Sequence, residues 1–151
     1  MRFTALAPAC LLALVACTSQ NSDPLGLMQS PAGGNIGDYT ITGGSDAEIG
    51  VDPKAVIGEK MSAFLNADDR GAAALATARA ASLPHGQKVT WQRTADVSDG
   101  NAAGDAWAIG APYKDSAGRA CRFVQETAKR GSDAVNDAVK ICNSPAGWVP
   151  A

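Results

Sequence analysis

The chain has 151 residues, a formal net charge of −2, 19% charged residues and 5% aromatic residues. This length suits one ordinary domain. The absence of a basic excess argues against nucleic-acid binding, which requires cations that neutralise phosphates. A single histidine, His85, is too little for the usual metal or catalytic-triad chemistry. We therefore expect no metal and no cofactor.

The N-terminal residues 1–16 have the pattern of a secretory signal peptide. Arg2 is their only charge, and an apolar stretch follows it that is too short to span a membrane. The sequence LVAC, which ends at Cys17, resembles the bacterial lipobox, in which the cysteine is lipidated and becomes the first residue after cleavage. This pattern predicts a lipoprotein signal peptide and lipidation of Cys17. The alternative is ordinary cleavage beside an incidental cysteine. The resemblance to lipoproteins implies that an Asp directly after the cysteine would favour inner-membrane retention. Thr18 occupies that position, which favours the outer membrane.

Residues 17–50 are predicted to be the lipidated Cys17 and a flexible tether. The segment is rich in Ser, Asn, Asp, Gly and Pro and has no sustained apolar period. As a random coil it would hold a domain about 30 Å from the bilayer. A glycine-zipper membrane segment is the alternative, but the glycine spacing and the polar neighbours argue against it. The membrane, reached through the lipid on Cys17, is the first predicted partner.

The folded domain is expected over residues 51–151. Asp52 followed by Pro53 predicts a helix start, with Asp as N-cap and Pro at the first helical position. Asn66 predicts a second N-cap, before an alanine-rich helix over 67–81. One apolar stripe at helical spacing joins these two caps: Val56, Ile57, Met61, Phe64 and Leu65. The result is either a helix pair or one kinked helix.

Beyond Gly86 the apolar period changes to two, which is typical of β-strands. The pattern predicts strands over 87–93, 105–113 and 147–149. Pro112, close to the end of the second strand, favours an edge position there because proline donates no ladder hydrogen bond. A polar loop over 94–104 joins the first two strands.

Cys121 and Cys142 would remain after export to an oxidising compartment, where an isolated pair most simply forms a disulfide. The midpoint between them falls between Gly131 and Ser132, which suit a two-residue hairpin turn. In that register the two cysteines face each other at a non-hydrogen-bonded pair, with Cα atoms about 4.5 Å apart. A β-hairpin closed by a disulfide is therefore predicted.

The two faces of this hairpin differ in polarity. The face with Val124 opposite Val139 is the more apolar, and we expect it to be buried. On that face Glu126 meets Asp137, which predicts a mild repulsion. The hairpin also carries a group of basic residues, which we interpret as a solvated strand face, with docking to anionic lipopolysaccharide or cell wall as the alternative: Arg119, Arg122, Lys129 and Arg130.

Together these elements predict an α+β fold. An N-terminal helix or helix pair packs on a small antiparallel β-sheet of about four strands, with one hairpin disulfide between Cys121 and Cys142.

Several of these motifs, taken in order, are similar to the C-terminal domain of bacterial surface-antigen lipoproteins of the rickettsial common-antigen type. The resemblance covers about residues 57–148. Its marks are ADDR at 67–70, GQKVTW at 86–91, Tyr113, Gly118, CRF at 121–123, the hairpin to Cys142, and Gly147-Trp148. The glycine zipper usual upstream in that family is missing. The resemblance implies an antigenic outer-membrane or surface lipoprotein without established catalysis.

The expected function is that of a non-enzymatic lipoprotein of the outer membrane, on its periplasmic or surface face, with a structural or antigenic role in the envelope. The alternative is a periplasmic lipoprotein that acts as an enzyme inhibitor or envelope assembly factor through protein–protein contacts. The loop 94–104 is the candidate contact for that alternative. Possible partners are an envelope protein or the cell wall.

Catalysis is not expected, because the chain has no G-x-S-x-G, HExxH or P-loop motif. His85 is interpreted as a residue of a surface turn, and with the two hairpin cysteines it would lack a fourth zinc ligand. The three tryptophans are expected in the core, with a sugar-binding aromatic platform as the alternative: Trp91, Trp107 and Trp148.

Overall fold

The structure is a computed structural model, which describes residues 34–36, 39–45, 47, 49–93 and 102–151. The predicted signal peptide, Cys17 and the tether up to residue 33 lie outside the described residues. Most of the predicted polar loop, residues 94–101, lies outside them too.

One antiparallel sheet of seven strands dominates the described residues, with the strands in chain order. Each strand pairs with the next in the sequence, and the sheet is curled. The strands are β1 (Gly34–Ile36), β2 (Tyr39–Thr42), β3 (Lys88–Arg93), β4 (Ala103–Lys114), β5 (Ala120–Arg130), β6 (Asp133–Ser144) and β7 (Gly147–Pro150). The predicted strands after Gly86 are confirmed, and β4 is longer at both ends than the sequence pattern suggests.

The prediction of an α+β fold with helices packed on about four strands is wrong. The curled sheet has seven strands, and the helices between β2 and β3 are few and mostly short. They are α1 (Pro53–Val56), α2 (Glu59–Phe64) and α3 (Ala67–Ser82). The two unexpected strands, β1 and β2, come from the segment that the sequence predicts as a tether.

The tether prediction is wrong where the structure describes β1 and β2. Ile41 of β2 is fully buried opposite Trp91 of β3. The Gly50 amide donates to the Trp148 carbonyl oxygen at 3.0 Å, which ties the end of the segment to β7. These partners lie 50 or more residues away in the chain, so local composition gives no sign of them. The folded part of the described chain therefore starts before residue 51.

The predicted helix caps are confirmed, although the helical segment is in three pieces. The Asp52 side chain accepts the Lys54 amide at 2.9 Å, with Pro53 at the first helical position. The Asn66 side chain accepts the Asp69 amide at 2.8 Å at the start of α3.

Helix α3 lies against the sheet with most of its residues buried. Ten of its 16 residues are buried, seven of them alanines. Small side chains allow a helix backbone to lie close to its neighbours, so a helix with little amphipathic character can still be enclosed. The curled sheet supplies the large apolar groups of this core, including Ile41, Val89, Trp91 and Val124.

The hairpin register is confirmed at every predicted pair. Cys121 faces Cys142, their Cα atoms are 4.0 Å apart, and the disulfide is formed. Arg130 pairs with Asp133 to close the turn, and Gly131 has a φ of +58°, which favours glycine. The Val124 face of the hairpin is buried, as expected.

The edge position predicted from Pro112 is wrong for β4 as a whole, although the end of the strand that carries Pro112 extends beyond its pairing with β3. Strand β4 lies between β3 and β5, and its pairing with β5 is interrupted between Ile109 and Tyr113. Pro112 falls within this bulge, where no backbone N–H is needed for a ladder hydrogen bond to β5. Pairing of β4 with β3 ends at Trp107, so neither neighbouring strand needs a ladder hydrogen bond from Pro112.

We expect the disulfide to contribute about 3 kcal/mol to the free energy of unfolding, because it closes a 21-residue separation. Denaturant titration of the Cys121→Ala/Cys142→Ala variant against the oxidised wild type measures this loss. Peptide mass mapping of the native protein should find the two cysteine peptides linked to each other. Alkylation of both sulfurs in the native oxidised chain would contradict the register.

Candidate functional site

A buried carboxyl group, that of Glu126, joins the sheet to two helical segments. Glu126 lies on the inner face of β5 and is 2% exposed. Its Oε2 accepts the Gly58 amide, before α2, at 2.8 Å. The Thr77 hydroxyl of α3 donates to its Oε1 at 2.5 Å. One side chain therefore links β5 both to α3 and to the junction of α1 with α2.

Asp137 faces Glu126 across the hairpin, as the register predicts. Its Oδ2 accepts the amides of Lys60 and Met61, at 2.8 and 3.3 Å, in the first turn of α2. A carboxylate is stabilised there by unpaired amide groups and the helix dipole. A Cβ built on Gly58 would collide with the Asp137 side chain, so glycine leaves the room that this contact needs. The predicted repulsion is thus offset by backbone donors.

Burial raises the pKa of Glu126 to about 7, because the charged form loses its hydration. The hydrogen bonds from Thr77 and Gly58 act in the opposite direction, and the charge of Asp137 adds to the rise. A carboxyl with such a pKa is a common mark of catalytic sites. Here the group is enclosed, and its described partners are a helix hydroxyl and a backbone amide, which is the arrangement of a structural acid.

A second buried acid, Asp69, is fully enclosed near the start of α3. The Tyr39 hydroxyl donates to its Oδ1 at 2.5 Å, and Arg130 lies 3.4 Å from its Oδ2. Burial, followed by the hydrogen bond to Asp69, raises the pKa of Tyr39 well above its usual range. This group joins α3 to β2 and to the end of β5.

The predicted basic face of the hairpin does not form as one surface. Arg130 turns inward to Asp69, and Arg122 is buried on the inner face. Arg119 binds Asp115 at 2.6 Å, and this hydrogen bond holds the pKa of the Asp115 carboxyl below its usual value. Lys129 is the one of the four that is exposed. A run of basic residues in a strand alternates between faces, which disperses the charge.

His85 lies in an exposed turn, as predicted, and its Nδ1 accepts the Gly110 amide at 3.0 Å. The carboxylate of Asp115 and the sulfurs of Cys121 and Cys142 lie within 4.8 Å of one another. Those sulfurs are bonded to each other and so are not thiolate ligands.

A shallow hollow of about 270 Å³, open to solvent, lies where the end of α3 meets β6 and β7. It is lined by Ala47, Ser82, Asn143, Ser144, Gly147 and Trp148, among others. None of these side chains titrates near neutral pH, so the hollow supplies no acid or base for catalysis.

An aromatic surface lies on the opposite side of the sheet from the helices, and we call it the outer face. It carries the alternate side chains of β3 to β6 that point away from the core. Phe123 is 45% exposed, and its ring stacks on Tyr113 with centroids 5.8 Å apart. Half-buried Trp107 lies on the same face. The core prediction is therefore confirmed for Trp91 and Trp148 and is wrong for Trp107.

The charged groups of the outer face are mainly lysines. Lys88 lies over the Trp107 ring at 4.9 Å, and Lys140 lies over the Tyr113 ring at 5.2 Å. Such cation–π contacts are favourable at the surface. Lys129 adds a third cation, and Asp105, which binds Lys88 at 3.4 Å, is an acid of the same face. In the sequence, the outer face is indicated by the alternate residues Cys121, Phe123 and Gln125, which point to the same side of β5.

Comparisons with known proteins found no matching family model, no matching curated protein and no matching solved structure. The resemblance to surface-antigen lipoproteins stays a prediction. Among the helices that the structure describes, none is long and apolar enough to cross a membrane.

We expect the stability of the protein to fall as pH rises from about 4.5 to about 7, because the folded state holds the Glu126 proton more tightly than the unfolded chain does. The full effect is about 3 kcal/mol, at 1.36 kcal/mol per pKa unit. Denaturant titrations at several pH values measure this slope.

The Glu126→Gln variant should lose this part of the slope, since its amide does not titrate. Glu59→Gln, which removes an exposed acid from α2, is the matched control and should keep it. Equal slopes in the wild type and Glu126→Gln would show that the buried carboxyl does not titrate in this range.

Proposed function

We propose that this protein is a non-enzymatic lipoprotein of the bacterial outer membrane that acts by surface contact in the cell envelope. The observation that carries the proposal is the division between the two faces of the sheet. The shifted acid Glu126 is enclosed on the inner face, where its partners are structural. Phe123 and Tyr113 are presented on the outer face, where contacts with other molecules are possible.

Several features support the absence of catalysis in this proposal. Each group with a shifted pKa is held by a partner that organises the fold: Glu126 by Thr77, Tyr39 by Asp69, and Asp115 by Arg119. The shifts therefore follow from packing and local ion pairing. No cofactor is required for this role.

The proposed location follows from the N-terminal pattern. A signal peptide over 1–16 and the lipobox cysteine, Cys17, would export and anchor the chain. A structural disulfide between Cys121 and Cys142 is compatible with an oxidising envelope compartment. The partners are then the membrane, through the lipid, and an envelope protein or the cell wall.

A second candidate is a periplasmic inhibitor or assembly factor that works through protein–protein contacts. The stacked pair of Phe123 and Tyr113 favours it, since exposed aromatic residues are enriched where interfaces bind most strongly. A pull-down from solubilised envelope with wild type and Phe123→Ala separates the two candidates: one defined protein, lost in the variant, favours the inhibitor or assembly factor.

We expect the exported protein to carry lipid on Cys17. Metabolic labelling with a fatty-acid analogue, followed by mass analysis of the N-terminal peptide, should detect the acyl chains. Cys17→Ser should abolish the label because the sulfur that accepts the lipid is gone. Cys10→Ser is the matched control, since Cys10 lies in the predicted signal peptide, and it should label as the wild type does. An unlabelled wild type would contradict the anchor.

A further inference from the structure

We propose that the outer face of the sheet docks on an anionic phospholipid bilayer. The inference rests on the proposed function in one respect, because the lipid on Cys17 is what brings the domain to the membrane. The docking surface consists of outward-facing side chains of β3 to β6: Lys88, Trp107, Tyr113, Phe123, Lys129 and Lys140.

The charge of the outer face favours contact with an anionic bilayer. The whole chain is acidic, with a formal net charge of −2, yet the outer face of β3 to β6 carries three lysines against Asp105. Lys129 and Lys140 are exposed. Exposed acids lie elsewhere, such as Glu59 and Asp68 on the helices. This separation gives the outer face the sign that an anionic headgroup layer attracts.

The aromatic residues of the outer face also favour contact with a lipid interface. Trp rings are favoured at the level of lipid headgroups, and Phe rings are favoured on the apolar side of membrane-surface segments. Phe123 is nearly half exposed to water and stacks on Tyr113. The Lys140 ammonium lies 5.2 Å from the Tyr113 ring, so cation and rings would reach the interface together. This combination of rings and lysines is the one found on membrane-surface segments.

The number of residues between Cys17 and the described fold limits how far the domain can lie from the bilayer. Strand β1 begins at Gly34, so 16 residues, 18–33, separate it from Cys17. Even fully extended, such a segment spans at most about 55–60 Å. A connection of this length keeps the outer face at a high effective concentration near the bilayer. A weak contact with lipid is therefore sufficient for docking.

A second copy of the chain is a poorer occupant of this face. Two outer faces brought together would place Lys129 and Lys140 of each copy on the same surface, with Asp105 already engaged by Lys88. Like charges at a desolvated contact are unfavourable.

The test uses the full chain with Cys17→Ser, which has no acyl anchor. It is mixed with vesicles of phosphatidylcholine alone, or with vesicles of phosphatidylcholine that contain about one-third phosphatidylglycerol. Cosedimentation gives the affinity, and acrylamide quenching of Trp107 reports contact at the outer face. Trp91 and Trp148 are buried, so a Trp107→Phe variant supplies the blank for the Trp107 signal.

We expect phosphatidylglycerol vesicles to bind the protein and to shield Trp107 from acrylamide. Lys129→Ala/Lys140→Ala should weaken binding by about thirtyfold, since each lysine near an anionic surface contributes about a factor of five. Lys54→Ala/Lys60→Ala is the matched control: it removes the same charge from exposed helix positions and should change binding by less than about twofold.

Equal loss in the two double variants, or unshielded Trp107 on phosphatidylglycerol vesicles, would overturn the proposal. So would binding to soluble anionic polysaccharide that matches or exceeds vesicle binding. The vesicle assay needs no lipid on Cys17, whereas the proposed function fails if the exported wild type carries none. The two failures are therefore distinguishable.

Discussion

The rest of this fold depends on two acids that face each other across one hairpin. Glu126 and Asp137 are cross-strand neighbours, and like charges in such positions repel unless each finds a donor. The donors are the backbone amides of Gly58, Lys60 and Met61. The hairpin therefore needs the α1–α2 segment, and this segment needs the hairpin. The same hairpin register that pairs the two cysteines also places both acids on the inner face of the sheet.

This arrangement also explains why the two faces of the sheet differ in chemistry. The inner face uses its polar groups to hold helices, as Glu126 does with Thr77, and a group used in this way is enclosed. Helices cover that side, so the side chains on the other side, such as Phe123, remain in contact with solvent. The outer face is thus the natural place for a contact outside the molecule, and the proposed envelope role and the proposed lipid docking both rest on it.

The sequence predicts those parts of the molecule that short-range rules govern. The hairpin register follows from two cysteines and a two-residue turn, and the helix starts follow from Asp52 and Asn66, because each cap is a local contact. Strand β2 was missed, since Ile41 becomes a strand residue only through its distant partner Trp91. The sequence predicts that the two acids lie close together. It does not predict the amides that satisfy them, because these belong to a segment 68 or more residues away.

Amide hydrogen exchange tests this account most directly, with Asp137→Ala compared with the wild type. Asn136→Ala, at the neighbouring exposed position, is the control. In Asp137→Ala the amides of Lys60 and Met61 should exchange at least about tenfold faster. The centre of α3 should keep its protection, because the start of α2 can open locally without unfolding α3. Unchanged exchange at Lys60 and Met61 would contradict the claim that the acid pair holds the helical segment to the sheet.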